Sequence, residues 1–204
     1  MGGATPPGVM IDGSGIGSLD LPPASGADER APAIAVRLPE PCLVVLVGAA
    51  GSGKTTLARA RFEPDETLSS DAYRAIVAGD EADQAATAAA FRALHAALHR
   101  RLAEGRTTVV DATSVTSFAR RSLTRIASRH GVAAIALVLD LPADLVLARN
   151  ATRGGRVVPE PAVRRQLAEL ARSLRSDELA SDGFAAIHVL RHPSEVERLR
   201  IERG

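Results

Sequence analysis

Lys54 is the single lysine among 25 basic residues, and it stands in the run Gly48-Ala49-Ala50-Gly51-Ser52-Gly53-Lys54-Thr55. The run matches G-x-x-x-x-G-K-[ST]. Its glycines let the backbone wrap a polyphosphate at close range, while N–H groups at the start of the next helix point at the anion. Gly48, Gly51, Ser52, Gly53, Lys54, Thr55 and Thr56 form the cradle in this pattern. Lys54 is expected to reach the β- and γ-phosphates, and Thr55 to ligate Mg²⁺. The glycine spacing is wrong for a dinucleotide fingerprint. No second lysine exists to build the Asn-Lys-x-Asp segment with which Ras-type GTPases read guanine, so the expected nucleotide is ATP.

Two further groups carry chemistry suited to phosphoryl transfer. Asp71 and Arg74 are three residues apart, on one face if Asp71 opens a helix, so they can hold an acceptor hydroxyl and an adjacent phosphate together. In Arg149-Asn150-Ala151-Thr152-Arg153-Gly154-Gly155-Arg156, Arg149 and Arg153 are four apart and can share a helical face, and the glycine pair gives a joint. Planar guanidinium forks on such a lid bind equatorial phosphate oxygens as charge spreads over them. Asp111 is followed by Ala112, whereas motor-type ATPases commonly place glutamate there. Transfer to an alcohol is therefore favoured over hydrolysis. A small-molecule kinase and a regulatory ATPase switch stand as the alternatives.

The elements that must position these residues follow from periodicity. Short apolar runs at Cys42 to Val47, Leu68 to Ser70, Thr107 to Val110, Val132 to Leu139 and Ala185 to Leu190 read as strands. Helices are expected over Lys54 to Arg61, Ala72 to Val77, Asp83 to Ala103, Phe118 to Arg129, Pro142 to Ala151 and Pro161 to Leu174. The alternation predicts an α/β fold with a parallel five-stranded sheet covered by helices on both faces. Ligands bind beyond the carboxyl ends of such strands, so Gly48, Asp71, Asp111 and Asp140 are all expected to face one crevice.

Residues 1–40 hold seven of the 17 glycines and six of the 12 prolines, without apolar periodicity, and read as a disordered arm. Asp12-Gly13-Ser14-Gly15-Ile16-Gly17 in that arm lacks the preceding strand of a dinucleotide loop. The kinase domain is expected over 41–192, with its lid at 149–160, and 193–204 as a C-terminal helix or tail. Lone Cys42 can form no disulfide within the chain, and a zinc cluster has no Cys or His spacing to support it. His95 and His99 are four apart, but no third ligand accompanies them, and they read as ordinary helix residues. No apolar run is long enough to cross a bilayer and no secretion signal is seen, so a cytoplasmic location is expected. The net charge of +1 and the 2% aromatic content argue against a passive coat on single-stranded nucleic acid. Any charge that binds phosphate must be local.

From Leu43 to about Leu170 the chain resembles the 5'-OH polynucleotide kinase module of bacterial polynucleotide kinase-phosphatase RNA-repair enzymes, within the wider group of ATP-binding P-loop kinases of AAA type. The resemblance rests on VLVGAAGSGKTT, SSDAYR, DEADQAATAAAF, GRTTVVDATS and RNATRGGRVV followed by PEPAVRRQ, in that order. It implies a P-loop NTPase/kinase fold with an Arg-bearing lid, ATP and Mg²⁺ as cofactors, and a polynucleotide 5'-OH as acceptor. It further implies that Asp71 activates the hydroxyl, Arg74 grips the neighbouring 3'-phosphate, and Arg149 and Arg153 contact ATP in the transition state. Gln84 is implied to face the site, and Asp111 and Thr113 match the segment ending the third strand. Ser114 replaces an asparagine often found there, and Gly154-Gly155 departs from a more polar lid. The repair enzymes carry phosphatase and nucleotidyl-transferase domains after the kinase. With the sequence ending at Gly204, action alone or with separate repair partner proteins is expected.

Overall fold

Six consecutive apolar residues, Cys42–Val47, form strand β2, buried throughout as only a central strand can be. A computed structural model describes residues 34–78, 87–154 and 157–204. All of them lie in the compact unit Pro32–Gly204. Strands β3 (Thr67–Ser69), β4 (Thr108–Asp111), β5 (Ala133–Leu139) and β6 (Ala186–Leu190) complete a five-stranded sheet ordered β3-β4-β2-β5-β6. Every pairing is parallel. The chain leaves β2 for the β3 edge, returns to one side of β2 as β4, then crosses to its other side as β5. The sheet therefore opens its crevice at the carboxyl end of β2.

Alternation along β2 sends its side chains to two cores. Leu43, Val45 and Val47 pack with Leu94 and Leu98 of α3 (Thr87–Ala103) and with Leu123 and Ile126 of α4 (Ser117–Arg129). Cys42, Val44 and Leu46 meet Leu57 and Ala58 of α1 (Lys54–Arg61) on the opposite face. Helix α2 (Ser70–Ala78) follows β3, and α5 (Ala143–Ala151) and α6 (Glu160–Arg175) bracket the lid segment. Val146 and Val163 of that pair pack on Ala49 and Ala50, so the segment leading to the lid is anchored on the loop after β2. The doubly covered parallel sheet is as expected from the sequence.

Three boundaries differ from expectation. The ordered chain begins before Pro41: β1 (Ala35–Leu38) pairs in parallel with β7 (Arg200–Arg203) in a separate two-stranded sheet. Val36 and Leu38 are buried beside Leu199 and Phe62, a pairing of distant segments that local periodicity cannot reveal. The end of the chain is both helix, α7 (Pro193–Arg198), and strand. Asp71 lies in the first turn of α2 rather than at a strand end, because β3 stops at Ser69 and the Ser69 hydroxyl accepts the Ala72 N–H at 3.4 Å. Residues 1–33, including the glycine run at 12–17, and the expected start of α3 at 83–86 lie outside the described residues. No helix among the described residues is long and apolar enough to cross a membrane.

Candidate active site

The loop from Gly48 to Gly53 turns back on itself through left-handed backbone at Gly51 (φ +87°) and Gly53 (φ +96°). A Cβ on Gly51 would lie 2.4 Å from the Val146 carbonyl, so α5 seats directly on this turn. Gly53 caps α1 with no side-chain bond, and the helix has no acidic residue in its first turn. Its leading N–H groups and positive dipole end are thereby left for an anion.

Lys54 is buried, with Nζ donating to the carbonyls of Gly48 and Ala49, each at 2.8 Å. Burial pushes its ammonium down from 10.5 to about 8. Asp111 pulls the other way, Arg153 adds to the depression, and Asp71 opposes it. These influences show the four charges to be near enough to sense one another. Beside Lys54, the Thr55 hydroxyl donates to Asp111 Oδ2 at 2.7 Å, joining the start of α1 to the end of β4. A hydroxyl and a carboxylate from two rigid elements are hard oxygen donors, and they fit a small divalent cation such as Mg²⁺.

Asp71 faces the same space from α2. Arg74, one helical turn on and only 11% exposed, is hydrogen bonded to its Oδ1, and Nη2 of Arg153 approaches Oδ2 at 3.7 Å. The two guanidinium groups thus fix the orientation of the Asp71 carboxylate in the cavity. Exposed Arg149 lies at the cradle's mouth, its Nη1 3.9 Å from where a Cβ on Gly53 would stand. Lys54, Thr55, Asp71, Arg74, Asp111 and Arg153 border one cavity of about 630 Å³, together with Ser52, Thr56, Thr113 and Arg149.

Not every expected residue joins this group. Asp140 sits apart: its carboxylate is 3.6 Å from Arg191, because β5 ends beside β6 and the aspartate turns toward the loop after β6. It does not line the cavity. Gln84, Gly155 and Arg156 lie outside the described residues. Gly48 lines the cradle through its backbone, its carbonyl facing Lys54 and its N–H donating to the Thr113 carbonyl at 3.1 Å. Ser114 has left-handed backbone (φ 47°), a conformation that asparagine adopts more readily than serine. Buried Arg120 donates to the carbonyls of Ser114 and Val115 and thereby braces this turn. His99 shares a 3.0 Å hydrogen bond with His130, and no cluster of three metal-binding side chains occurs among the described residues. Burial drives the Cys42 thiol up to about 11, out of the reactive range.

Sequence reasoning missed several contributors. Gln166 of α6 accepts the Ala50 N–H at 2.8 Å and so ties the segment beyond the lid to the cradle. The buried Asn150 side chain donates to the Val158 carbonyl at 2.7 Å and accepts the Val158 N–H at 3.2 Å, clasping the two ends of the lid. Val158, Pro193 and Val196 give the cavity an apolar wall suited to the flat face of a base. A lone glutamine on an amphipathic helix and one asparagine between arginines carry no local signal. Only PEPAVRRQ, as a stretch with a fixed place after the lid, pointed toward Gln166.

The sequence profile of a family described as AAA domain matches residues 43–176. No curated protein matches the sequence. Among solved structures, one from the Pnkp1/Rnl/Hen1 RNA repair complex superposes with a TM-score of 0.58 at 19% identity, covering 74% of this chain and 49% of that one. The chain thus spans about half the length of that relative. An unliganded sugar kinase from Janibacter sp. HTCC2649 matches with a TM-score of 0.53 at 26% identity, covering 78% of this chain and 91% of that one. The AvrRxo1-ORF1:-ORF2 structure with ATP gives 0.54 at 16% identity, covering 70% and 50%. The fold is that of P-loop kinases.

Proposed function

The chain belongs to the AAA domain family, matched over residues 43–176, and from that premise we propose that it is an ATP-dependent kinase whose acceptor is the 5'-OH end of a polynucleotide. The observation that carries this reading is the Asp71 carboxylate, gripped by Arg74 and facing the same cavity as Lys54. A nucleotide switch needs no such group, whereas transfer to an alcohol does.

In this reading the cradle N–H groups and Lys54 hold the β- and γ-phosphates, and the adenine rests against Val158, Pro193 and Val196. Thr55 and Asp111 would hold Mg²⁺, which would supply neutralisation of the triphosphate's charge. Asp71 takes the proton of the acceptor hydroxyl as its oxygen attacks the γ-phosphorus. The bond from that phosphorus to the β–γ bridging oxygen breaks, and ADP leaves. Arg74 holds the phosphate next to the attacking hydroxyl. Arg153 moves from Asp71 to the migrating phosphoryl group, where its charge counts most in the transition state, and Arg149 closes over the nucleotide.

A small alcohol as acceptor is the second reading. It is supported by the likeness to a sugar kinase over 91% of that chain's length. γ-Labelled ATP with Mg²⁺, offered to 5'-OH oligonucleotides, nucleosides and sugars, separates the two. Labelled oligonucleotide is the expected product. A labelled sugar or nucleoside with no labelled oligonucleotide would overturn the acceptor, and free phosphate alone would overturn transfer. Asp71→Asn should abolish label transfer while keeping ATP affinity within a few-fold. An active variant would refute its role as base.

A further inference from the structure

Helix α4 is basic without compensation in its own sequence: SFARRSLTRIASR carries four arginines and no acid. Arg120, Leu123, Thr124, Ile126 and Ala127 are buried, which fixes the opposite side toward solvent. At 100° per residue, Phe118, Arg121, Arg125 and Arg129 fall within about 80° of one another on that outer side. All four are exposed, Phe118 by 85%. Arg121 is paired with Asp182 at 2.9 Å, while no described acid pairs with Arg125 or Arg129. Steps of four residues set Arg121, Arg125 and Arg129 about 6 Å apart along the axis, close to the spacing of successive phosphates on an extended strand.

The stripe starts close in sequence to the site. Five residues, 112–116, link β4 to α4, and Thr113 among them lines the cavity, so α4 begins four residues after a cavity-lining residue. Phe118 is in its first turn. The other two exposed large apolar side chains among the described residues are Ile76, on the helix that bears Asp71 and Arg74, and Val157, at the foot of the lid. Ile76 and Val157 belong to segments that line the cavity, and Phe118 to the helix that follows Thr113. An aromatic face stacks any base, and arginines beyond it neutralise the phosphates that follow.

We propose that the outer side of α4 is a binding track for a single-stranded polynucleotide, with Phe118 stacking a base near the 5' end and Arg125 and Arg129 taking successive phosphates. This rests on the polynucleotide reading of the acceptor and adds the surface that receives the strand beyond its first nucleotide. The near-neutral net charge is no obstacle, because the positive field is concentrated on one helix.

The test compares a nucleoside 3'-phosphate with 5'-OH oligonucleotides of two to twelve nucleotides as acceptors for the full-length protein. KM should fall with length until the track is filled and then level off, with kcat nearly constant. Phe118→Ala should raise oligonucleotide KM about tenfold. Arg125→Ala/Arg129→Ala should flatten the length dependence and reduce the log–log salt slope of oligonucleotide binding by about 1.4. Equal KM for the nucleoside 3'-phosphate and the longest oligonucleotide, unchanged in both variants, would overturn the track and leave the acceptor reading intact. Phosphorylation of sugars with no oligonucleotide accepted at any length would overturn both. Competition by poly-aspartate as strong as by an oligonucleotide of equal charge would also overturn it.

Discussion

Raising the pH from about 7 to about 9 should weaken ATP binding through Lys54. In the nucleotide-free protein, burial holds this ammonium at about 8 instead of 10.5, offset by Asp111, deepened by Arg153 and offset again by Asp71. A bound triphosphate gives the buried ammonium an anionic partner and returns its pKa toward the usual lysine range. Binding near pH 8 therefore takes up about half a proton. The ammonium fraction falls from ~0.9 at pH 7 to ~0.1 at pH 9, so Kd should rise about tenfold, ~1.4 kcal/mol. Isothermal calorimetry in two buffers of different ionisation heat reads both the affinity and the proton count. A flat Kd across this range, with no proton uptake at pH 8, would refute the reasoning and show Lys54 to be fully charged without nucleotide. The same depression has a stability consequence of fixed sign. Between about 8 and 10.5 the unfolded chain holds more protons than the native one, so the nucleotide-free fold gains stability as pH rises through that window. Lys54→Met should abolish this gain in urea titrations.

Arg153→Ala should lower single-turnover transfer about 100-fold while changing ATP affinity only a few-fold, as expected of a charge that acts mainly in the transition state. Equal losses in both would make it a ground-state ligand. Gly51→Ala should cost about 1–2 kcal/mol from the left-handed backbone alone, and the Val146 carbonyl 2.4 Å from the new Cβ must also move. Thermal unfolding and nucleotide binding should both report the loss, and a variant matching the parent in both would contradict the close seating of α5 on the loop. Arg120 is fully buried and bonded to equally buried Asp182 at 2.5 Å. Arg120→Met should therefore destabilise by about 3–5 kcal/mol in urea unfolding, with much of this recovered in Arg120→Met/Asp182→Leu. Failure of the second substitution to restore stability would place the cost in the bonds to Ser114 and Val115 instead.

Legibility from sequence was greatest where chemistry and local structure coincide. Gly48 to Thr55 needed both a wrapped backbone and a strand–helix junction, and the apolar run before it and the helical pattern after it are local properties. Asp71, Arg74 and Arg153 were recognisable as types at useful spacings, and the cavity does bring them together. Asp140 was misplaced because strands ending in aspartate look alike in sequence: β5 adjoins β2, yet the side chain turns to Arg191 after β6 and not into the cavity. Gln166 and Asn150 were passed over because their partners are backbone groups, and a backbone N–H or carbonyl leaves no mark in the sequence.

The amino-acid sequence determined the order of strands and helices, the phosphate-binding loop and the inventory of charged groups, since all of these follow from periodicity and residue type within a few neighbours. Tertiary structure alone decided that β1 and β7 pair across the length of the domain, that Asp71 lies between two arginines, and that Lys54 is desolvated enough to lose its proton near pH 8. Those properties depend on distances between segments far apart in the chain and on exclusion of water. Both are set by how the helices cover the sheet.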